Sequence, residues 1–210
     1  IRQGGATGNN FRTLRLWWEV DFESLSLVLG DEKKWVIYQK GGPFLKWYGN
    51  NWCVIAYNDP NEYEYLSTHG NCLPSKDFYF QEGVSYCSSG SKGVSYRYMP
   101  ENQIISGAGP GIYPSEEFTD VCYYLAFLNS KMSYYLTTCL NPTVNTTQGD
   151  LKRIPFVKPE EKIQKEIFNI IINEIFKKYE LNDMFITDYG EPLASHKIPQ
   201  NIINKTPYYI

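Results

Sequence analysis

Apolar residues in the first half of the chain come in short bursts, broken by glycine, proline and asparagine. Residues 14–22 are apolar and aromatic, with Arg15, Glu19 and Asp21 interspersed. Trp35-Val36-Ile37-Tyr38 predicts a strand ended by Gly41-Gly42-Pro43, and residues 52–57 predict another ended by Asn58-Asp59-Pro60. Phe78-Tyr79-Phe80 and residues 84–88 suggest paired short strands. Residues 94–98 alternate, and Gln103-Ile104-Ile105-Ser106 runs into a glycine turn over 107–111. Segment 59–77 suggests a short helix and a surface loop.

The pattern changes at Ser115. Ser115 fits an N-cap with Glu116 and Glu117 in the first turn, and Val121, Tyr124, Leu125 and Leu128 follow on one face. Asn129-Ser130 marks a break before a second helix that Asn141-Pro142 stops. Residues 151–157 suggest a strand. Pro159 and Glu160-Glu161 open a longer helix whose apolar positions are Ile163, Ile167, Ile170, Ile171 and Tyr179. The expected organisation is one main domain over 1–157, a supporting helix over 158–182 and an irregular tail over 183–210, packed by Phe185, Tyr208 and Tyr209.

Composition narrows the class. The 210 residues are 42% hydrophobic and 20% charged, enough for a sizeable core and too apolar for wholesale disorder. Aromatics reach 16%, which suits β-rich structure and surfaces that stack. The net charge of -3 excludes a broadly basic nucleic-acid binder but leaves room for a local basic face. No apolar run approaches the roughly 20 residues of a membrane span. The five cysteines show no Cys-x-x-Cys spacing, so free thiols in a reducing cytoplasm are expected, and His69 and His196 lie too far apart in sequence to suggest a metal site. A chain that starts at Ile1 is expected to be a piece of a longer protein.

Catalytic chemistry finds little support. Gly107-Ala108-Gly109-Pro110-Gly111 follows an apolar strand, but Pro110 removes an N–H where a phosphate turn needs donors. Neither histidine has hydrolase spacing, and Cys87 and Cys139 lack a nucleophile signature. Three stretches fit binding better: 4–12, 40–50 and 85–93, the last followed by Arg97. Each combines glycine turns with amide or hydroxyl side chains, basic residues and aromatics. Small turn residues let backbone N–H groups approach phosphates, lysine and arginine supply charge, and amides can read base edges. The alternative reading of the same stretches is ordinary solvated loops.

These stretches carry a resemblance. Gly5-Ala6-Thr7-Gly8-Asn9-Asn10-Phe11 with Arg15-Leu16-Trp17-Trp18-Glu19-Val20, Lys40-Gly41-Gly42 with Lys46-Trp47-Tyr48-Gly49-Asn50, and Lys76-Asp77-Phe78-Tyr79-Phe80-Gln81-Glu82-Gly83-Val84-Ser85-Tyr86 come in order. Tyr124-Leu125-Ala126-Phe127-Leu128-Asn129-Ser130-Lys131, Asn141-Pro142-Thr143 and Gly149-Asp150-Leu151-Lys152-Arg153-Ile154-Pro155 follow. The ordered set resembles the C-terminal target-recognition region of N6-adenine DNA methyltransferases, of the PglX-like BREX phage-defence and restriction–modification kind. The last blocks also resemble type I restriction specificity subunits. The family's Asn-Pro-Pro-Tyr motif and its glycine turn for S-adenosylmethionine are missing here.

The resemblance implies an α+β fold: a twisted, mostly antiparallel β recognition domain followed by packing helices. It implies sequence-specific recognition of double-stranded DNA, with no cofactor in this stretch. S-adenosylmethionine and catalysis would belong to an upstream methyltransferase domain, and other defence-system subunits are possible partners. The expected DNA contacts are Lys40, Lys46, Lys92 and Arg97, then Thr7, Asn9, Asn10, Arg12, Tyr86, Ser88 and Ser89; no metal or catalytic residue is expected. Lys131, Lys152 and Arg153 either face DNA or are solvated element ends. Trp17, Trp18, Trp35, Trp47 and Tyr48 are expected in the core. The rivals are a type I specificity adaptor, a protein-interaction module using Phe168, Ile172 and Phe176 as an exposed face, and a free-standing enzyme.

Overall fold

A computed structural model describes residues 1–68 and 73–187, with side chains to residue 179. His69, His196, the side chain of Phe185, Tyr208 and Tyr209 lie outside the described residues. The fold is α+β, and most strand pairings are antiparallel.

The first sheet is built from β1 (Leu14–Leu16), β2 (Leu25–Ser26), β3 (Trp35–Gln39), β4 (Cys53–Ile55) and β7 (Gln103–Ile105). Its order is β1-β4-β3-β2, with β7 continuing along the β2 edge of β3. Strand β3 is apolar at Val36, Ile37 and Tyr38, all buried, so it reads as a continuous run. The second sheet is antiparallel, with β5 (Gly83–Tyr86) between β6 (Tyr96–Met99) and β8 (Gly111–Ile112). Short helices α1 (Asn10–Thr13) and α2 (Pro60–Thr68) belong to the first half, and α3 (Val121–Asn129), α4 (Lys131–Leu140), α5 (Gln148–Lys152) and α6 (Glu161–Thr187) follow the strands.

Two larger apolar clusters, with a smaller one around Leu25, Ile37 and Val54, divide the molecule. Val36, Tyr38, Ile55, Leu66, Tyr79, Met99 and Ile104 pack the first sheet on α2. Val84, Tyr86, Tyr96, Tyr98, Leu125, Ile171, Ile172 and Ile175 pack the second sheet under α3 and α6. A large apolar side chain buried as fully as Leu125 contributes about 1.5–3 kcal/mol.

Five local expectations change. The first helix after the strands, α3, starts at Val121 rather than Ser115, because residues 115–118 close a tight turn (Ser115 N to Phe118 O 3.2 Å) and Asp120 caps Tyr123 N at 2.9 Å. Residues 151–157 are not a strand: Thr147 and Asp150 form a capping box that opens α5 over Gln148–Lys152. Residues 78–80 are not a strand either, since Lys76–Phe78 forms one helical turn. Along α6 the buried stripe is Ile171, Ile172 and Ile175, whereas Ile163 and Ile170 are exposed. Trp17, Trp35 and Trp47 pack against the core, and Tyr48 lies inside it. Trp18 instead is 57% exposed, because the helical turn Trp17–Glu19 rotates it outward.

Candidate nucleic-acid interface

Strands β3 and β7 run parallel, so their C-terminal ends, Gln39 and Ile105, lie side by side. The chain leaves both ends through glycines. Gly109 has no room for a side chain: a Cβ there would sit 2.2 Å from the carbonyl oxygen of Gln39. At the same end, Gly4 N and Gly5 N donate to Ser106 O and Ile105 O at 3.2 and 3.1 Å. A Cβ on Gly4 would lie 2.0 Å from Ile105 O, so this approach too requires glycine.

Loops distant in sequence converge there. Lys40 Nζ donates to Asn10 Oδ1 at 3.1 Å. Gly107 N donates to Gly5 O at 3.0 Å, and Ser88 N donates to Ala108 O at 3.1 Å. Gly41 abuts Ala108 and Cys87. The result is one edge formed by residues 5–12, 40–42, 87–89 and 107–109. Asn9, Asn10, Arg12, Ser89 and Ala108 are exposed on it, and Lys40 and Ser88 are half-buried.

Each side chain on this edge is positioned locally. Asn9 caps α1, accepting from Arg12 N at 3.2 Å. Thr7 is buried and its hydroxyl donates to Asn10 Oδ1. Arg12 pairs with Glu62 at 2.8 Å and lies 3.9 Å over the Tyr65 ring. Partial burial lowers the Lys40 ammonium below its ordinary value, with Cys53 acting in the opposite direction. Beneath the edge lies a buried polar network. Ser85 Oγ donates to Gln39 Oε1 at 2.9 Å, and Gln39 Nε2 donates to Asn51 Oδ1 at 2.8 Å and to Gln103 Oε1. Fully satisfied networks of this kind rigidify what rests on them.

The other expected contacts lie elsewhere. Lys46 Nζ donates to the carbonyl of Asn129, the last residue of α3, at 2.9 Å. That satisfies one of the free carbonyls of a helix end with a cation. Lys92 is exposed on the loop whose Gly93 rests against the Tyr134 ring. Lys131, Lys152 and Arg153 are exposed.

Arg97 and Tyr86 correct the expectation of exposed contacts, for both are 0% exposed. Arg97 sits on β6 opposite Ser85 and beside Trp47, and none of its side-chain nitrogens has a hydrogen-bond partner. Burial pushes its guanidinium down to about 10, against the opposing influence of Cys87. Tyr86 packs against Tyr96, with ring centres 5.7 Å apart and the rings tilted by 42°, and burial raises its phenol. Tyr86 faces the helices with Tyr96, and Arg97 shares the opposite face with Ser85, toward the Gln39 network. Both faces of this sheet are buried, which loop composition does not reveal.

Sequence reasoning by residue type passed over Phe11, which is 93% exposed within this edge, and the glutamines below it. The available signal for the glutamines was position: Gln39 ends and Gln103 begins an otherwise apolar strand. Elsewhere, a cavity of about 230 Å³ is lined by Glu82, Tyr98, Asp120, Cys122, Phe168 and Ile172 among others. Its carboxylates are engaged: Glu82 accepts from the Tyr98 hydroxyl at 2.6 Å, and Asp120 caps α3 while accepting from Gln164 at 2.8 Å. Cys53, Cys87, Cys122 and Cys139 are free thiols. Among the described residues, no helix is long and apolar enough to cross a membrane.

The mixed fold thus gathers amides, hydroxyls and a lysine on one braced edge. Adenine-specific methyltransferase BrxX of Escherichia coli O9:H4 (strain HS) is 34% identical over 147 residues, covering 69% of this chain and 12% of that protein. Adenine-specific methyltransferase PglX of Lacticaseibacillus casei (strain Zhang) is 29% identical over 192 residues, covering 82% of this chain and 15% of that protein. No family model matches the chain. The chain is thus similar to a minor segment of two adenine-specific methyltransferases, which ties it to a methyltransferase-associated role.

Proposed function

We propose that this stretch recognises double-stranded DNA in a sequence-specific way for an adenine-specific DNA methyltransferase of a BREX-type phage-defence or restriction–modification system. The observation that carries the proposal is the convergence of residues 5–12, 40–42, 87–89 and 107–109 on one edge. The similarity to two adenine-specific methyltransferases supports it. A base methylase draws its target base out of the stack, at a cost of a few kcal/mol. A separate surface must hold the duplex in register meanwhile. Asn9 and Asn10 have the amide chemistry that reads base edges, and Lys40 the charge that fixes a phosphate. In this reading S-adenosylmethionine and the reacting groups belong to a methyltransferase domain elsewhere in a longer protein.

The interaction-module alternative loses the face it relied on. Ile172 is 2% exposed, and Phe168 and Phe176 pack against the second-sheet cluster.

The test is fluorescence anisotropy of labelled random duplex DNA with the 210-residue chain across a salt series. Binding at low salt that weakens linearly in log salt supports the proposal. No binding to any duplex at low salt overturns it.

A further inference from the structure

We propose that Phe11 is a wedge that enters a base step of duplex DNA held on this edge. The inference rests on the DNA reading above and adds a residue that deforms the duplex. Phe11 is 93% exposed, more than any other large apolar side chain among the described residues. Isolated apolar residues on a surface are ordinary and by themselves carry no meaning. Phe11 differs in how it is mounted and in what surrounds it.

The mounting is rigid. Asn9 caps the turn that holds Phe11, and both Thr13 N and Thr13 Oγ1 donate to Asn9 O, at 3.2 and 3.0 Å. Arg15 Nη1 donates to the Phe11 carbonyl at 2.7 Å and to the Leu14 carbonyl at 2.6 Å. Thr13 is 0% exposed, and Arg12 is held between Glu62 and the Tyr65 ring. The backbone on both sides of Phe11 is therefore fixed while its ring projects into solvent. Ordering cost, which a mobile aromatic would pay on insertion, has been met in advance.

The surroundings select the occupant. Asn9 and Asn10 precede the ring, Arg12 follows it, and Lys40 lies 3.1 Å from Asn10. An apolar wedge flanked by amides and cations is the composition that proteins use to part base steps and kink a duplex. Val28 and Leu29, also exposed, show the contrast. They adjoin Asp31 and Glu32, charges that repel phosphates.

The test compares binding to an intact duplex of about 30 base pairs and to the same duplex with one abasic position. An abasic position removes part of the unstacking cost, so the wild-type chain is expected to prefer it by about tenfold or more. Phe11→Ala is expected to abolish that preference while leaving the melting temperature unchanged. Phe11→Trp is expected to retain the preference. Equal wild-type binding to both duplexes, or a preference that survives Phe11→Ala, overturns the wedge but leaves DNA recognition standing. Wild-type binding to neither duplex overturns both.

Discussion

Lys40 and Lys46 belong to one glycine- and aromatic-rich stretch, yet they do different physical work. Lys40 meets the side-chain amide of Asn10 on an exposed edge, a partner that water or a phosphate can replace. Lys46 meets the main-chain carbonyl of Asn129, which ends α3 and whose side-chain amide clamps both the N–H and C=O of Tyr96 at 3.2 and 2.9 Å. The first arrangement leaves a charge available to a ligand. The second commits it to joining a helix to a sheet. What a basic residue does is decided by the acceptor it reaches, and the same contrast runs through the two halves of the molecule.

The largest expected effect separates the packed half from the edge by titration. Burial raises the phenols of Tyr86 and Tyr96, and burial with the neighbouring Tyr63 pushes Tyr57 up to about 12. A phenol whose folded value exceeds its unfolded 10.0 stabilises nothing extra below that pH. Above it the unfolded chain releases a proton that the folded chain keeps, so stability falls as pH rises through the folded values. Arg97 works in the other direction, since its folded value is lowered, but one arginine opposes several tyrosines. Tyr63 is lowered by its hydrogen bond from Lys76 and should ionise first. Urea midpoints should thus hold steady up to about pH 10 and decline beyond it, with the tyrosinate absorbance of the raised phenols appearing only on unfolding. Uniform titration of all tyrosines in the folded chain would erase the distinction.

A smaller effect tests whether Arg97 belongs to packing or to binding. An arginine that is buried with no hydrogen-bond partner pays desolvation without recovering it. Arg97→Met keeps an unbranched apolar stem and removes the charged guanidinium. It is expected to raise stability by about 1–3 kcal/mol, read as a higher denaturant midpoint with an unchanged slope. DNA binding should not change. A lower midpoint would show that the charge is satisfied, and weaker DNA binding would return Arg97 to the edge.

The sequence made the strands at 35–38 and 52–57 legible because apolar runs ended in glycine, asparagine and proline. The break at Asn129-Ser130 was legible for a similar reason: Ser130 caps α4 by accepting from Ser133 N at 3.1 Å. The helix over 148–152 was missed because Thr147 and Asp150 signal a cap more softly than the apolar residues around Leu151 signal a strand. On the edge, Thr7, Asn9, Asn10, Arg12, Lys40, Ser88 and Ser89 were named from residue type, and the structure brings them together. Lys92 was named by the same rule and lies on another loop; Arg97, Tyr86 and Lys46 lie elsewhere too. Their fate depends on strand parity and on where α3 ends, and neither is written in a loop's composition.

The smallest effects come from the two lysines themselves, and they sharpen the comparison most directly. Lys46→Ala removes a cation from the end of α3 and should cost about 0.3–1 kcal/mol of stability. Its DNA affinity should match wild type. Lys40→Ala should leave stability within about 0.5 kcal/mol, as expected for a side chain whose partner can turn to water. It should weaken binding to all duplexes alike and reduce the salt slope by about 1, the signature of one lost phosphate contact. Measuring both variants by denaturation and by anisotropy gives a double dissociation. If Lys46→Ala instead lowers the salt slope, its bond to the Asn129 carbonyl opens when DNA binds, and the exposed surface extends to the end of α3.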